Sequence, residues 1–442
     1  MDAAPAPYVR TRLSVMMFLQ YATWGAWLPI LWSYLNGHLN FTGTQIGYCF
    51  SAGAIGAIFG PFLAGQLADR SVATQKLLGV SHLVGAAIIL AMGMTGEFAY
   101  FVALAVLYGL VYAPTMALTN SLAFTHLPNR DTDFGPVRLW GTIGWIAVGI
   151  AVGQILFRLH TPEGVDEAAV GAAQDAGRVV GFQISAAIGL VMGIYCFTLP
   201  NTPPTKSAAQ NTAWAEAIGE IVKQPLVTLF LIAVPVSMIH QFYFVHADAF
   251  ISSVQRASTA ESAFDNWIKQ VFGVGGGLMT LGQMMEIAVL AMMPFLVRFL
   301  SRKQLLLAGL VAYAARMALW AYAPAVSQFT GIPELPLVMA GIALHGFCFG
   351  CFIFIAFMVV DEFTTHDIRA TAQNMFNLVI VGIGTIVGSF FATSIVASWA
   401  DESGTMDYTR LFSVPMYMAL GCFVLMLLFY PSKKKPLPAA AA

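Results

Sequence analysis

Twelve long apolar stretches alternate with short polar segments along the chain. Each stretch holds about 20 or more residues with few charges, which is the length that an α-helix needs to cross the hydrocarbon core of a bilayer. The sequence therefore predicts an all-α membrane protein with twelve transmembrane helices. The predicted spans are 13–35, 45–68, 77–95, 98–123, 136–157, 180–199, 226–251, 273–299, 304–323, 334–360, 371–398 and 410–430.

Lysine and arginine are distributed unequally between the two sets of loops. Because basic residues near helix ends stay on the cytoplasmic side, the side that holds more of them is predicted to be the cytoplasmic one. That side would hold Arg10, Arg12, Arg70, Lys76, Arg130, Lys206, Lys223, Arg298, Arg302, Lys303, Arg369, Lys433, Lys434 and Lys435. The opposite side would hold Arg158, Arg178, Arg256, Lys269 and Arg410. We therefore expect both termini in the cytoplasm and the chain in the cytoplasmic (inner) membrane.

The longest polar cytoplasmic stretch lies in the middle of the chain and separates six spans from six. It predicts an N-terminal six-helix bundle at 1–199, a cytoplasmic linker at 200–225, a C-terminal six-helix bundle at 226–430 and a basic cytoplasmic tail at 431–442. Two six-helix halves related by a pseudo-two-fold axis along the membrane normal are the pattern of major facilitator transporters. The predicted fold class is therefore the major facilitator fold.

Composition excludes several other classes of function. Charged residues make up 10% of the chain and its formal net charge is −1, so the chain has no basic face for nucleic acid. The sequence has no H-E-x-x-H, G-x-S-x-G or phosphate-binding loop, which argues against an enzyme. Cys348 and Cys351 lie on an apolar helix without a second ligand pair. We expect no metal and no cofactor, with the lipid bilayer as the surrounding medium.

A first set of polar and aromatic candidates lies on the fifth span. Arg138, Thr142 and Trp145 follow one another at i, i+4 and i+7, which places a cation, a hydroxyl and an aromatic ring on one helix face. Polar groups inside a membrane are costly unless they are paired or face water, so these residues are candidates for substrate binding. The alternative is that Arg138 snorkels towards the cytoplasmic boundary while Trp145 packs in the core.

The seventh and tenth spans carry further candidates. Gln241 and Phe244 share one face of the seventh span, and the Gln241 amide supplies both a donor and an acceptor for a polar solute. His345 and Phe349 are four residues apart on the tenth span. The histidines of these helices also have a purely structural explanation, which is an interhelical hydrogen bond.

The eighth span carries Gln283 and Glu286, three residues apart on one face. Glu286 has no cation within one helical turn. Its carboxyl group must therefore find a partner on another helix or take up a proton, since burial disfavours the charged form. This makes Glu286 the leading candidate for the proton carrier, and a fixed ion pair with Arg138 or Arg316 is the alternative.

Beyond this topology, the chain resembles the nucleoside:proton symporter family of the major facilitator superfamily over nearly its whole length. The matching residues are Phe18-Leu19-Gln20, Trp24-Gly25, Trp27-Leu28, Tyr112-Ala113-Pro114-Thr115, Asn120, Asp133-Phe134-Gly135-Pro136-Val137-Arg138-Leu139-Trp140-Gly141-Thr142-Ile143-Gly144, Gln283-Met284-Met285-Glu286, Arg316, Ile368-Arg369-Ala370, Ala372-Gln373 and Met375-Phe376.

The resemblance implies a transporter that imports nucleosides with protons by alternating access and works as a monomer. It also implies a ligand site to which both halves contribute, with a nucleobase stacked on an aromatic ring while amides and a carboxylate bind its polar edge and the ribose. The residues that it implies are Arg138, Thr142 and Trp145 from the N-terminal half and Gln241, Gln283, Glu286 and Phe349 from the C-terminal half.

Three positions depart from the family pattern. Phe244 replaces a polar amide, His345 replaces a tyrosine, and Gly350 replaces a carboxylate that would be a natural proton site. Proton coupling is therefore assigned to Glu286 or His345, because an imidazole titrates in the physiological range. A sugar or oligosaccharide permease of the same superfamily is the alternative function, since Trp, Gln, Arg and carboxylate groups also suit pyranose rings.

Overall fold

The computed structural model describes residues 8–70, 72–204, 213–257, 262–365, 368–401 and 405–432. Over these residues the chain is helical and contains no β-strand. Its long helical segments are α1 (Val9–Gly25), α2 (Gly43–Arg70), α3 (Thr74–Met92), α4 (Phe98–His126), α5 (Arg130–Leu159), α6 (Val179–Cys196), α7 (Leu226–Ala257), α8 (Gly276–Phe299), α9 (Arg302–Ala321), α10 (Glu334–Glu362), α11 (Thr371–Ala400) and α12 (Tyr408–Phe429). The prediction of twelve helices is confirmed.

Ten helices in the described part of the chain are long and apolar enough to cross a membrane by length and composition alone. The first predicted span is interrupted. Its α-helix ends at Gly25, and a 3-10 turn follows at Leu28–Ile30. Pro29 lies in that turn, and a proline inside a helix removes a backbone donor and clashes with the preceding turn.

Short helices occupy segments that the hydropathy pattern assigned to loops. They are Glu167–Gly177, Ala213–Ile221, Ala263–Phe272 and Ala323–Thr330. Two of them begin at a side-chain cap, where Asp166 accepts from the backbone N–H of Ala169 and Ser262 accepts from that of Asp265. Such caps satisfy backbone donors that the first turn of a helix leaves open.

The contacts divide the chain into two compact units. One unit takes in Met1–Ser207 together with Phe244–Thr280, and the other takes in Ala208–Tyr243 together with Leu281–Ala442. The first unit therefore includes the second half of α7 and the first residues of α8, although the sequence groups both helices with the C-terminal six.

In the first unit, glycines let helices approach closely. A Cβ atom at Gly144 would collide with the backbone of Phe18, and one at Gly141 would press against the ring of Tyr21. Because both glycines lie on the α5 face that meets α1, the spacing of Gly141 and Gly144 is explained by packing. A Cβ atom at Gly56 of α2 would likewise collide with the backbone of Gly109 in α4, so these two helices also pack closely.

A group of buried polar side chains around Gln20 in the first unit is joined by hydrogen bonds. Gln20 of α1 donates from Nε2 to Oγ1 of Thr115 on α4 at 2.7 Å. His82 Nε2 of α3 donates to Gln20 Oε1 at 2.8 Å, and the hydroxyl of Tyr112 donates to the Gln20 carbonyl at 2.5 Å. The Gln20 side chain, which is fully buried, thus holds three helices together.

In the second unit, the helices around α10 also pack across glycines. A Cβ atom at Gly346 would collide with the α8 backbone at Met285, and one at Gly309 of α9 would lie 2.8 Å from Phe352. A π-helical turn at Cys348–Phe354 interrupts α10. Such turns are frequent at functional sites because they shift the helix face that the following side chains occupy.

Candidate substrate and proton site

The N-terminal set of candidates lies on the face of α5 that packs against α1. The Arg138 guanidinium stacks over the ring of Tyr21, with Cζ 3.9 Å from the ring centroid. Trp145 meets Trp24 edge to face at 5.6 Å between ring centroids. Arg138, Thr142 and Trp145 are each partly exposed within the first unit, as binding groups require. A cation–π contact holds Arg138 in place without using its hydrogen-bond donors.

Phe244 joins this set. Its ring centroid lies 6.5 Å from that of Trp145, with the two planes at 74°. The sequence placed Phe244 on the seventh helix with Gln241, but the two residues fall in different compact units. Phe244 therefore extends an aromatic surface that Trp24 and Trp145 begin.

Gln241 is anchored by α11. Its Nε2 donates to Thr385 Oγ1 at 3.2 Å, and Ser389 Oγ donates to its Oε1 at 3.4 Å. The side chain is 8% exposed. A Cβ atom at Gly388 would lie 2.9 Å from the Gln241 side chain, so this glycine makes the room that the amide occupies.

Gln283 presents an unpaired acceptor. Its Oε1 is buried and has no hydrogen-bond partner among the described residues. A buried amide oxygen without a partner is costly, so it marks a place where a ligand or a water donor completes the bonding. The Gln283 side chain can therefore accept a further hydrogen bond at Oε1.

Glu286, His345 and Arg316 form a row of ionisable groups in the second unit. His345 Nε2 lies 4.0 Å from Glu286 Oε2, and His345 Nδ1 lies 3.1 Å from Arg316 Nη1. The imidazole also stacks on the ring of Tyr243 at 4.5 Å between centroids and on that of His240 at 5.3 Å. The histidine predicted on α10 is thus placed between the predicted carboxylate and a cation.

Phe349 and Thr142 make fewer contacts with the other candidate residues. Both are partly exposed, and within the described residues no ring contact or hydrogen bond joins either to the other candidates. Phe349 lies in the π-helical turn of α10, one residue before Gly350.

The position that lacks the expected carboxylate faces apolar side chains. A Cβ atom at Gly350 would lie 2.7 Å from Cγ1 of Val289 and 3.4 Å from the terminal methyl of Met293. Val289 is 1% exposed and belongs to α8. A carboxylate cannot be added there without moving α8 side chains, so Gly350 and Val289 are matched to each other.

The sequence pattern did not reveal a second buried charge cluster. Arg178, which the sequence placed in a loop, lies in the turn between the helix Glu167–Gly177 and α6, and its side chain is completely buried there. Its Nη2 lies 2.8 Å from Oδ2 of Asp248, which is also completely buried. Ser33 donates to Asp248 Oδ2 at 2.5 Å and the backbone N–H of Gly276 donates to Oδ1 at 2.6 Å. Arg316 was likewise predicted only as an ion-pair partner of Glu286. A lone arginine in an apolar helix is by itself a reason to expect a functional residue.

The profile of the nucleoside H+ symporter family matches residues 8–435. The chain belongs to the nucleoside H+ symporter family. Escherichia coli YegT is 32% identical over 387 residues, covering 85% of this chain and 82% of that protein. The nucleoside permease NupG of E. coli is 27% identical, covering 95% of this chain and 96% of NupG. The crystal structure of nucleoside transporter NupG superposes with a TM-score of 0.79 at 23% identity, covering 96% of this chain and 100% of that one.

Membership in the family fixes several points. The protein is an integral membrane transporter and not an enzyme, and its all-α fold is the major facilitator fold. The resemblance inferred from the motif around Arg138 and from Gln283-Met284-Met285-Glu286 is confirmed.

Proposed function

We propose that this protein imports nucleosides together with protons across the cytoplasmic membrane by alternating access. The family and its relatives support transport of this kind. The observation that carries the proposal is the pairing of groups on α8, where the unpaired acceptor oxygen of Gln283 lies one helical turn from the titratable Glu286. One group can recognise a neutral polar solute while its neighbour takes up a proton.

The proposed binding residues fall into two sets. Arg138, Thr142 and Trp145, extended by Phe244, offer a cation, a hydroxyl and aromatic faces on which a nucleobase can stack. The second set offers amide and carboxyl groups for the base edge and the ribose hydroxyls, with Phe349 as a flanking ring. Its members are Gln241, Gln283, Glu286, His345 and Phe349.

Proton coupling needs a group that changes the relative stability of two carrier states when it titrates. We assign this role to Glu286, with His345 as its partner at 4.0 Å. If Glu286 must be neutral for the loaded carrier to change orientation, then nucleoside and proton cross together.

The remaining features complete the proposal. Both termini lie in the cytoplasm, as the distribution of lysine and arginine indicates. The two six-helix halves, 1–199 and 226–430, are the moving bodies, 200–225 connects them, and 431–442 is a basic tail. The carrier functions as a monomer within the lipid bilayer.

Uptake of labelled uridine and adenosine into proteoliposomes, with and without an imposed pH gradient, tests this function. We expect accumulation only when the external medium is more acidic than the lumen. Unlabelled sugars are the matched competitors, because the same residue types also suit a pyranose. Inhibition by a sugar without inhibition by uridine or adenosine would replace the nucleoside proposal with a sugar permease.

A further inference from the structure

Arg316 is a buried cation in the middle of α9. Its side chain is completely buried, and its guanidinium lies over the rings of Tyr243 at 4.7 Å and Tyr313 at 5.2 Å from Cζ to the centroid. An arginine stays protonated in proteins, so the charge cannot be removed by titration. A buried charge of this kind is tolerated only when opposite charge or oriented dipoles compensate it.

The guanidinium is only partly compensated within the described residues. Nη1 bonds to Nδ1 of His345 at 3.1 Å, whereas Nε and Nη2 have no hydrogen-bond partner there. The aromatic faces of Tyr243 and Tyr313 supply part of the compensation through cation–π contacts. On the far side of His345 lies the carboxylate of Glu286, whose Oε2 is 4.0 Å from His345 Nε2.

The bond to Arg316 fixes the tautomer of His345. Because arginine donates and never accepts, Nδ1 of His345 must present its lone pair, and the ring proton must lie on Nε2. Nε2 is the atom that faces Glu286 Oε2 at 4.0 Å. A second proton on the imidazole would have to displace the Arg316 bond. His345 is therefore held neutral as a donor towards the carboxylate, and the transported proton belongs on Glu286.

We propose that Arg316 is the positioning residue of the proton site, holding the Nε2–H form of His345 against Glu286 and favouring the ionised state of that carboxylate. This inference rests on the proposed function of proton symport. The physical argument compares the net charge of Arg316, His345 and Glu286 in the two protonation states of Glu286. With Glu286 ionised, the row carries one positive and one negative charge, and with Glu286 protonated it carries a net positive charge in a buried site. That excess charge drives release of the proton.

The other groups that face His345 are neutral. Its imidazole is packed by His240 and Tyr243 from α7. From α9, Tyr313 bonds through its hydroxyl to His240 Nδ1 at 2.9 Å, and Cys348 follows on α10 itself. Of the described side chains that bond to or stack on this imidazole, Arg316 and Glu286 are the ones that carry charge.

The test is the pH profile of uridine uptake into proteoliposomes at a fixed pH difference, with counterflow as a second readout. Counterflow exchanges labelled for unlabelled nucleoside and needs no net proton movement. Removal of the cation lets the proton bind more tightly, so Arg316→Met is expected to move the alkaline limb of the profile up by about one pH unit while counterflow remains measurable. Arg316→Lys keeps the charge and should shift the limb less. Arg410→Met, which removes a half-exposed arginine on α12, is the control and should keep the original profile.

A second pair of variants guards against misfolding of the Arg316 variants. In His345→Gln, the amide can accept from Arg316 and donate towards Glu286, so its profile should stay in place even if the rate falls. His345→Phe can do neither and should shift in the same direction as Arg316→Met. Thermal stabilisation by uridine shows that each variant is folded. Unchanged profiles for both Arg316→Met and His345→Phe, alongside proton-coupled uptake by the wild type, would overturn this inference alone. Absence of nucleoside uptake by the wild type would instead overturn the proposed function.

Discussion

At the scale of single residues, Glu286 is the side chain whose chemistry carries the proposed coupling. It is 17% exposed, lies on a membrane-spanning helix and has the neutral imidazole of His345 at 4.0 Å. A carboxyl group exists in a neutral and a charged form, so a proton taken up by Glu286 would remove a negative charge from the side of His345. Such a change of charge is what the proposed coupling requires.

Replacement of Glu286 by glutamine removes titration while it keeps the shape and most of the hydrogen bonds of the side chain. We expect Glu286→Gln to abolish accumulation driven by a pH gradient, while counterflow stays measurable at a reduced rate. Glu163→Gln, in an exposed loop, removes a carboxylate of the same type and should accumulate normally. Accumulation by Glu286→Gln at the wild-type level would show that the proton is carried elsewhere.

Trp145 provides a second test at this scale. A ring that stacks on a base contributes about 1–3 kcal/mol of binding free energy, so Trp145→Ala should raise the KM for uridine by about fivefold to a hundredfold. Trp145→Phe should recover most of the loss. Trp140, on the same helix, is 46% exposed and makes a matched control, and Trp140→Ala should leave the KM in place. Equal KM values for the two alanine variants would remove Trp145 from the site.

At the scale of helices, the hydrophobic pattern predicts the spans because each must bury its backbone polar groups in a helix of membrane length. The same pattern does not predict short amphipathic helices. Glu167–Gly177 and Ala263–Phe272 are too polar and too short to count as membrane-spanning stretches. It also missed the break at Pro29 and the burial of Arg178, whose partners come from distant parts of the chain.

The candidate site was predictable to the extent that its chemistry lies on one helix face. The face of Arg138, Thr142 and Trp145 follows from their spacing, and so does the proximity of Gln283 to Glu286. The row from Glu286 through His345 to Arg316 spans three helices, and no local spacing encodes it. Helix-to-helix pairing of this kind depends on small residues such as Gly346, whose packing role only a structure reveals.

The buried ion pair between α6 and α7 gives a prediction about stability. Asp248→Asn would leave Arg178 buried with only Asp175, at 2.7 Å, as its anionic partner. Loss of one member of a buried pair costs about 3–5 kcal/mol, and the remaining Asp175 should hold the cost to the lower end of this range. We expect a clearly lower melting temperature of the detergent-solubilised protein.

The control for this prediction is an ion pair on the surface. Asp407 and Arg410 are each nearly half exposed and 3.4 Å apart, and exposed pairs contribute about 0–1 kcal/mol. Asp407→Asn, which also preserves a capping side chain at the start of α12, should melt close to the wild type. Equal melting temperatures for Asp248→Asn and Asp407→Asn would mean that the buried pair contributes no more than the exposed one.

At the scale of the whole molecule, the two compact units do not follow the division of the sequence into two sets of six helices. The boundary passes through α7 between Tyr243 and Phe244 and through α8 between Thr280 and Leu281. The residues proposed to bind substrate on these helices lie within a few positions of that boundary. Gln241, Gln283 and Glu286 therefore belong to the second unit, and Phe244 belongs to the first.

The proposal also fixes the energetics of transport, because one titrating carboxylate carries one proton for each nucleoside. One pH unit corresponds to about 1.4 kcal/mol, so at zero membrane potential each unit of pH difference should sustain about a tenfold accumulation of uridine. The measurement is the steady-state ratio of internal to external uridine in proteoliposomes whose potential is clamped with potassium and valinomycin. Glu286→Gln should give a ratio near one at every pH difference, and a sodium gradient without a pH difference should drive no accumulation. A hundredfold ratio per pH unit would require a second titrating group, and a ratio that follows sodium instead of pH would remove the proton from the mechanism.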